Sequence, residues 1–197
     1  LALPEASAAY EAAIETYKQD VAAARMAQWR NRCVSDGYEP GSTFKLITLA
    51  SALDSGAVTL NDSFYCGGQE KFTGREQILN CWKSAGHGAQ STAQALGNSC
   101  NIAFGHIGLR MGGDTFYDYL KSFGVMEKTG VDLPGEASGL FYERKYLNDP
   151  ANYGTSYLIT SSFGQSFRIT PMQLVRAVAA IVNGGYVLEP YSVSEVV

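Results

Sequence analysis

No run among the 197 residues comes near the roughly eighteen uninterrupted apolar positions of a membrane-crossing helix, so no segment is expected to span a bilayer. Charge of one sign is also scarce. The formal net charge is only −4 and acidic, which argues against nucleic acid as a partner. Cysteine occurs only at 33, 66, 81 and 100, too few for a disulfide scaffold and enough for one staple. No pair has Cys-x-x-Cys spacing, and only His87 and His106 could complete a ligand set. Both points argue against zinc, and no metal or cofactor is expected. Cys66 and Cys81 bracket a Gly-rich stretch. In an oxidising compartment a bridge between them would contribute about 3 kcal/mol; two reduced thiols are the equal alternative. An initiator Met and a leader peptide are missing too, and the chain opens at "LALPEAS" and stops at "SEVV". It is expected to be an excised piece of something longer. Internal repeats and long alternating strands are lacking, which predicts a mainly helical fold with little sheet.

What is present is an apolar content of 46%, enough for a real core in one domain or a large part of one. Residues 1–31 form the first segment; from residue 5 onward, Ala, Tyr, Ile, Val, Met and Trp alternate with charges at near-helical intervals. That pattern predicts a long amphipathic helix. A second helix is expected within 38–56, entered through Pro40-Gly41 and ended by Gly56. Residues 57–90 read as loop with a small hairpin. Over 91–124 the spacing predicts short helices: one capped by Ser91 with Gln94 reaching back, "NIAFGHIGLRM" after a break at Gly97 to Ser99, and "TFYDYLKSF" capped by Asp114 and stopped by Gly124. Residues 125–169 break into turns and short extended pieces. Thr170, Pro171 and Gln173 then open a last helix over 170–184.

The stretch "YEPGSTFK" carries candidate chemistry. Pro40 fixes its own φ and Gly41 permits unusual dihedrals, so a helix can begin sharply near Ser42. Lys45 then lies on the same face, about 4.5 Å along the axis. A serine hydroxyl becomes a nucleophile when a base takes its proton, and a lysine can be that base only when neutral. Phe44, Leu46, Ile47 and Leu49 flank Lys45 and supply the desolvation that favours the free amine. The positive end of the helix and the amide of Ser42 favour negative charge on its oxygen. Spacing alone is weak evidence: Ser-x-x-Lys arises by chance about once in a chain of this length, and a lone helical lysine is more often a solvated stem.

Together with "SCN" at 99–101, this stretch resembles the transpeptidase domain of the class B penicillin-binding proteins. "CWKSAGHG" at 81–88, "KTGVDLPGE" at 128–136 and "SFGQSFRITPMQL" at 162–174 extend the resemblance from about residue 30 onward. It implies an α+β fold shared with serine β-lactamases, of which this chain would be the helical lobe, with most of the central antiparallel sheet outside it. It implies Ser42 as acylated nucleophile, Lys45 as general base, Ser99 as proton relay to the leaving amine and Asn101 as holder of the substrate amide. The bland reading of Ser99-Cys100-Asn101 is a helix cap. It further implies peptidoglycan stem peptides and β-lactams as ligands, and a membrane-anchored parent working with cell-wall synthesis partners on the extracytoplasmic face. Lys128-Thr129-Gly130 spells the family's third motif, but "VDLPGE" after it reads as a turn, so Lys128 is not expected to be catalytic. Without a substrate-facing Lys-Thr-Gly strand the 197 residues alone are expected to be inactive, and the uncovered seam is expected to favour self-association.

Two other readings compete. A β-lactam sensor or class A β-lactamase shares the serine and lysine, but the hydrolase needs a Glu-x-x-Leu-Asn loop; "RKYLN" at 144–148 puts Arg144 in the glutamate's place and Glu143 one position off. A non-catalytic interaction module would use the first helix's face of Glu5, Glu11, Glu15, Lys18, Asp20 and Arg25, which is otherwise a solvated surface.

Overall fold

A computed structural model describes residues 4–74, 76–149 and 153–194. Helix α1 runs Pro4–Trp29, and from Ser7 to Trp29 every side chain is exposed except half-buried Val21. The expected amphipathic helix forms, but no apolar face of it is buried. Ala-rich propensity sustains it locally. The side chain of Glu5 lies outside the described residues; Glu11, Glu15, Lys18, Asp20 and Arg25 are all exposed. A single turn, α2 (Arg32–Ser35), is capped by Asn31, whose side chain accepts from the Cys33 N–H.

A 3₁₀ turn, Gly41–Phe44, feeds α3 (Lys45–Asp54). Two short antiparallel ribbons follow, one nested in the other. Strand β1 (Ser63–Cys66) pairs with β4 (Gly88–Ser91) so that Cys66 faces Gly88, and between them β2 (Gln69–Glu70) pairs with β3 (Leu79–Asn80). Helix α4 (Thr92–Gly97) has the expected capping box of Ser91 and Gln94. It is followed by α5 (Asn101–Met111) and α6 (Gly113–Ser122). Asp114 sits in the first turn of α6, one residue inside the helix that begins after Gly112, rather than at its cap. Gly112 takes the cap because its φ of 76° turns the chain between two helices with no intervening loop.

Residues 125–169 depart most from expectation. They contain the turn α7 (Arg144–Leu147) and a full helix, α8 (Gly154–Ser162). Helix α8 packs closely on α5: a Cβ at Gly108 would stand 2.8 Å from the Ser162 Cβ, and the Ser162 hydroxyl donates to the Phe104 carbonyl at 2.8 Å. The last helix, α9 (Pro171–Val182), starts at the expected capping box of Thr170 and Gln173. The core centres on α5, whose Ile102, Ala103, Phe104 and Ile107 are fully buried among residues of α3, α6 and α8. Each large apolar side chain sealed there contributes about 1.5–3 kcal/mol.

Candidate active site

The turn carrying Ser42 is held by a distant loop. The N–H of Gly41 donates to the Gly164 carbonyl at 2.8 Å, and the Tyr38 and Ile169 backbones exchange hydrogen bonds at 3.0 and 3.1 Å. Gly164 has φ of 85°, and a Cβ on it would stand 2.0 Å from the Gly41 carbonyl oxygen, so only glycine allows the approach. Phe44 is sealed beneath the turn with its ring edge on Phe167 at 4.7 Å between centroids. Sequence thus determines the geometry through small residues that let two backbones touch and an aromatic that anchors them.

The outcome is an exposed hydroxyl over a buried amine. Ser42 is exposed, whereas Lys45 is 1% exposed. The Lys45 Nζ lies 3.1 Å from Ser42 Oγ, with the rings of Phe104 and Phe163 at 5.5 and 6.0 Å. Burial drives the Lys45 pKa from its ordinary 10.5 down to about 8, and the sulfurs of Cys100 and Cys81 oppose the fall.

The Ser99-Cys100-Asn101 turn approaches from the far side. Ser99 has φ of 49°, a left-handed conformation that costs a non-glycine residue about 1–2 kcal/mol. Cys100 caps α5, its sulfur accepting from the Ala103 N–H at 3.5 Å, and Asn101 is the first residue of that helix. The cap reading of this tripeptide therefore describes Cys100, while its two neighbours are free to face Lys45. The amine sits 2.8 Å from the Ser99 carbonyl oxygen, 3.0 Å from Ser99 Oγ and 2.8 Å from Asn101 Oδ1. All four residues singled out from the sequence meet in one corner.

This geometry has a chemical reading. Carbonyl oxygens only accept, so Ser99 O and Asn101 Oδ1 each hold one N–H of Lys45 in either protonation state. The remaining position of the amine faces two hydroxyls, those of Ser42 and Ser99. In the ammonium it carries a donated hydrogen; in the free amine it carries a lone pair that accepts from one hydroxyl. The arrangement can pass a proton between them.

Lys128-Thr129-Gly130 is a closed turn. Lys128 is exposed, and Glu136 accepts from the Thr129 N–H at 2.7 Å, the Thr129 hydroxyl at 2.6 Å and the Gly130 N–H at 3.2 Å. Partial burial works against the Glu136 carboxylate, but these donors hold its pKa below the usual range. At α7, Arg144 pairs with Asp118 and Asp114 and Glu143 with Lys145, all at the surface.

The sequence reading missed a cluster directly behind the Ser-Cys-Asn turn. Cys66 on β1, Cys81 just after β3, His87 just before β4 and Cys100 at the α5 cap bring their ligand atoms within 4.8 Å of one another. All four cysteines are free thiols, so the Cys66–Cys81 bridge is not formed. The argument against zinc rested on sequence spacing; the nested ribbons supply proximity that spacing lacks. Burial, then Lys83 and Lys45, hold the His87 pKa down. Cys81 and Cys100 split. Burial pushes Cys100 up to about 12, whereas the Cys81 thiol, despite burial, is held below its usual value by the N–H groups of Lys83 and Asn101.

Known proteins resemble this chain in sequence and in fold. Stage V sporulation protein D of Bacillus subtilis is 42% identical over 167 residues, covering 84% of this chain and 25% of its own length. The peptidoglycan D,D-transpeptidase MrdA of Acinetobacter baumannii is 33% identical over 164 residues, covering 82% of this chain and 24% of its own length. This chain therefore spans about a quarter of the length of these curated relatives. The crystal structure of Pseudomonas aeruginosa PBP2 in complex with WCK 5153 matches with a TM-score of 0.74 at 26% identity, over 82% of this chain and 36% of that one. Its helices correspond to the helical lobe of that fold. Residues 5–197 match the family described as the penicillin binding protein transpeptidase domain, and the chain belongs to it.

Proposed function

We propose that this chain is the nucleophile-bearing lobe of a serine D,D-transpeptidase that cross-links peptidoglycan on the extracytoplasmic face of the bacterial membrane. Neutral Lys45 takes the proton of Ser42, which attacks the penultimate D-Ala carbonyl of a stem peptide. The terminal D-Ala leaves with a proton relayed through Ser99, and an amine of a neighbouring strand then accepts the acyl group. Asn101 holds the substrate amide with the side-chain N–H₂ that its bond to Lys45 leaves unused. β-Lactams acylate the same hydroxyl. The observation that carries this reading is a buried amine 3.1 Å from an exposed serine hydroxyl.

A β-lactamase reading has less support, because the carboxylates around α7 are engaged in surface ion pairs. The only Lys-Thr-Gly of the 197 residues is the closed turn at 128–130. The chain by itself then offers the Ser42 amide without a second oxyanion donor from such a strand, and one missing donor costs about 10²–10³-fold in rate. Fluorescent penicillin tests both halves. A protein extended to the length of the curated relatives should label stoichiometrically at Ser42, with no label in Ser42→Ala, while the 197 residues alone label slowly or not at all. Rapid labelling of the 197 residues, or undiminished labelling of Ser42→Ala, would overturn the respective half.

A further inference from the structure

We propose that Tyr142, Tyr146, Tyr153 and Tyr157 form a groove, opening beside the nucleophile turn, that binds the uncharged amino-sugar chain to which the stem peptide is attached. The proposal rests on the transpeptidase reading above and adds a second part of the substrate to it. Three clefts, of about 150, 320 and 340 Å³, make up the groove. Their walls are shared: Tyr142 belongs to the first and second, and Tyr153 and Tyr157 to the second and third. The near end lies at Ser166, which also lines the first cleft. Its N–H donates to the Glu39 carboxylate at 2.8 Å, three residues before Ser42, and Gly164 just ahead of it accepts from Gly41. The far end is polar, with Glu76 and Gln77 in the wall of the third cleft.

The lining chemistry selects the ligand. A pyranose has an apolar face of C–H bonds and a rim of hydroxyls, and a tyrosine offers the matching pair, a flat apolar ring with a hydroxyl at its edge. The four tyrosines are the whole wall of the middle cleft among the described residues, so an aliphatic chain finds no aliphatic partner there. Tyr142 and Tyr157 stack with centroids 4.0 Å apart and planes at 22°, a half-buried platform flanked by the exposed rings of Tyr146 and Tyr153. Burial, then Tyr157 and Glu39, raise the Tyr142 pKa, so that hydroxyl stays protonated and can donate.

Charge argues the same way. Glu76 is the one charged side chain lining these clefts among the described residues, and Lys145, which lies 4.8 Å over the Tyr146 ring, is met by Glu143 at 2.9 Å. An anionic polymer or lipid surface therefore finds no cation aimed at it. A neutral sugar finds an acceptor in Glu76 and an amide in Gln77, the few placed polar groups that orient a ligand in clefts of roughly this volume. Three clefts in line suit a repeating chain.

The walls are also locked together. Tyr153 stands at the cap of α8 with φ of 63°, uncommon for a bulky residue. A Cβ on the next residue, Gly154, would stand 2.5 Å from the Tyr146 carbonyl oxygen, so the backbones bearing Tyr146 and Tyr153 close onto each other. A groove held open in advance loses less freedom on binding.

Sugar binding tests the proposal without any assay of acyl transfer. The probe is the β-1,4-linked tetramer of N-acetylglucosamine, titrated against the protein extended to the length of the curated relatives and followed by saturation-transfer NMR. Binding should saturate with a Kd of about 1 mM or below. Tyr157→Ala and Tyr153→Ala should each weaken it about tenfold or more. Tyr157→Phe keeps the ring and should stay within about threefold of wild type, which guards against an alanine variant that merely misfolds. Tyr65→Ala, at an exposed tyrosine of β1 outside the three clefts, should bind as wild type does. A sugar-free stem peptide should not displace the tetramer. Protein that binds the tetramer yet resists fluorescent penicillin would support the groove and overturn the acyl-transfer reading alone. Protein that is labelled yet shows no saturation by about 10 mM tetramer would overturn the groove alone. Undiminished binding in both alanine variants, an equal loss in Tyr65→Ala, or displacement by the free peptide would overturn it as well.

Discussion

Lys45 and Lys128 both stand in stretches that spell serine acyl-transfer motifs, and their surroundings are opposite. Lys45 is buried with four oxygen acceptors around its amine, two of them hydroxyls. Lys128 is exposed, and its neighbours Thr129 and Gly130 spend their donors on Glu136. What differs is whether the fold removes water from the amine and supplies acceptors in its place. A lysine becomes a base through that exchange, not through the letters around it.

The sharpest way to break this contrast is substitution, scored as fluorescent-penicillin labelling in a protein extended to the length of the curated relatives. Lys45→Ala should slow labelling by about 10²–10⁴-fold. Lys128→Ala should leave it within about twofold, as expected of a residue outside the chemistry. Equal losses would erase the distinction.

The pH profile is the next test. In the proposed mechanism Lys45 acts as the free amine, so labelling should rise with pH up to about 8 and level off above it, falling about tenfold per unit on the acid side. The same shift has a sign in stability. Between about 8 and 10.5 the unfolded chain holds a proton that the folded chain has released, so stability should increase with pH in that window. Lys128→Ala should move neither limb.

Smaller effects come from the scaffolds on each side. Gly164→Ala forces a Cβ to 2.0 Å from the Gly41 carbonyl oxygen at a φ of 85°, and should cost about 2–4 kcal/mol in a urea melt. Gly185→Ala has open space around its Cβ and only the positive φ to contend with, and should cost about 1 kcal/mol. Glu136→Ala strands the Thr129 and Gly130 donors and should cost about 1–2 kcal/mol without changing labelling. The Glu136 carboxylate has a lowered pKa, so its contribution is present above the ordinary carboxylate range and fades as pH falls through the folded value.

Much of the candidate site was legible because its signals are local. Pro40-Gly41, the Ser-x-x-Lys spacing and the capping boxes at Ser91 and Thr170 each lie within a few residues, and each forms as read. Helix α8 was not legible, since Thr155, Ile159 and Thr160 favour extended structure and Ser161 and Ser162 favour turns. Packing against Gly105 and Gly108 of α5 overrides those preferences. The sulfur and imidazole cluster was hidden for a related reason: its members are up to 34 positions apart, and only strand pairing joins them. Asp114 shows the limit of cap rules, because a glycine at positive φ took the position an acidic side chain would have filled.

In the turn at 99–101, the outer two residues face Lys45 and the middle one is buried at the cap of α5. A survey confined to the groups around the Ser42 hydroxyl would pass over Cys100 entirely. Yet Cys100 is buried at the cap of α5 between Ser99 and Asn101, so a change there can move both contacts to Lys45 while leaving every contact atom chemically intact.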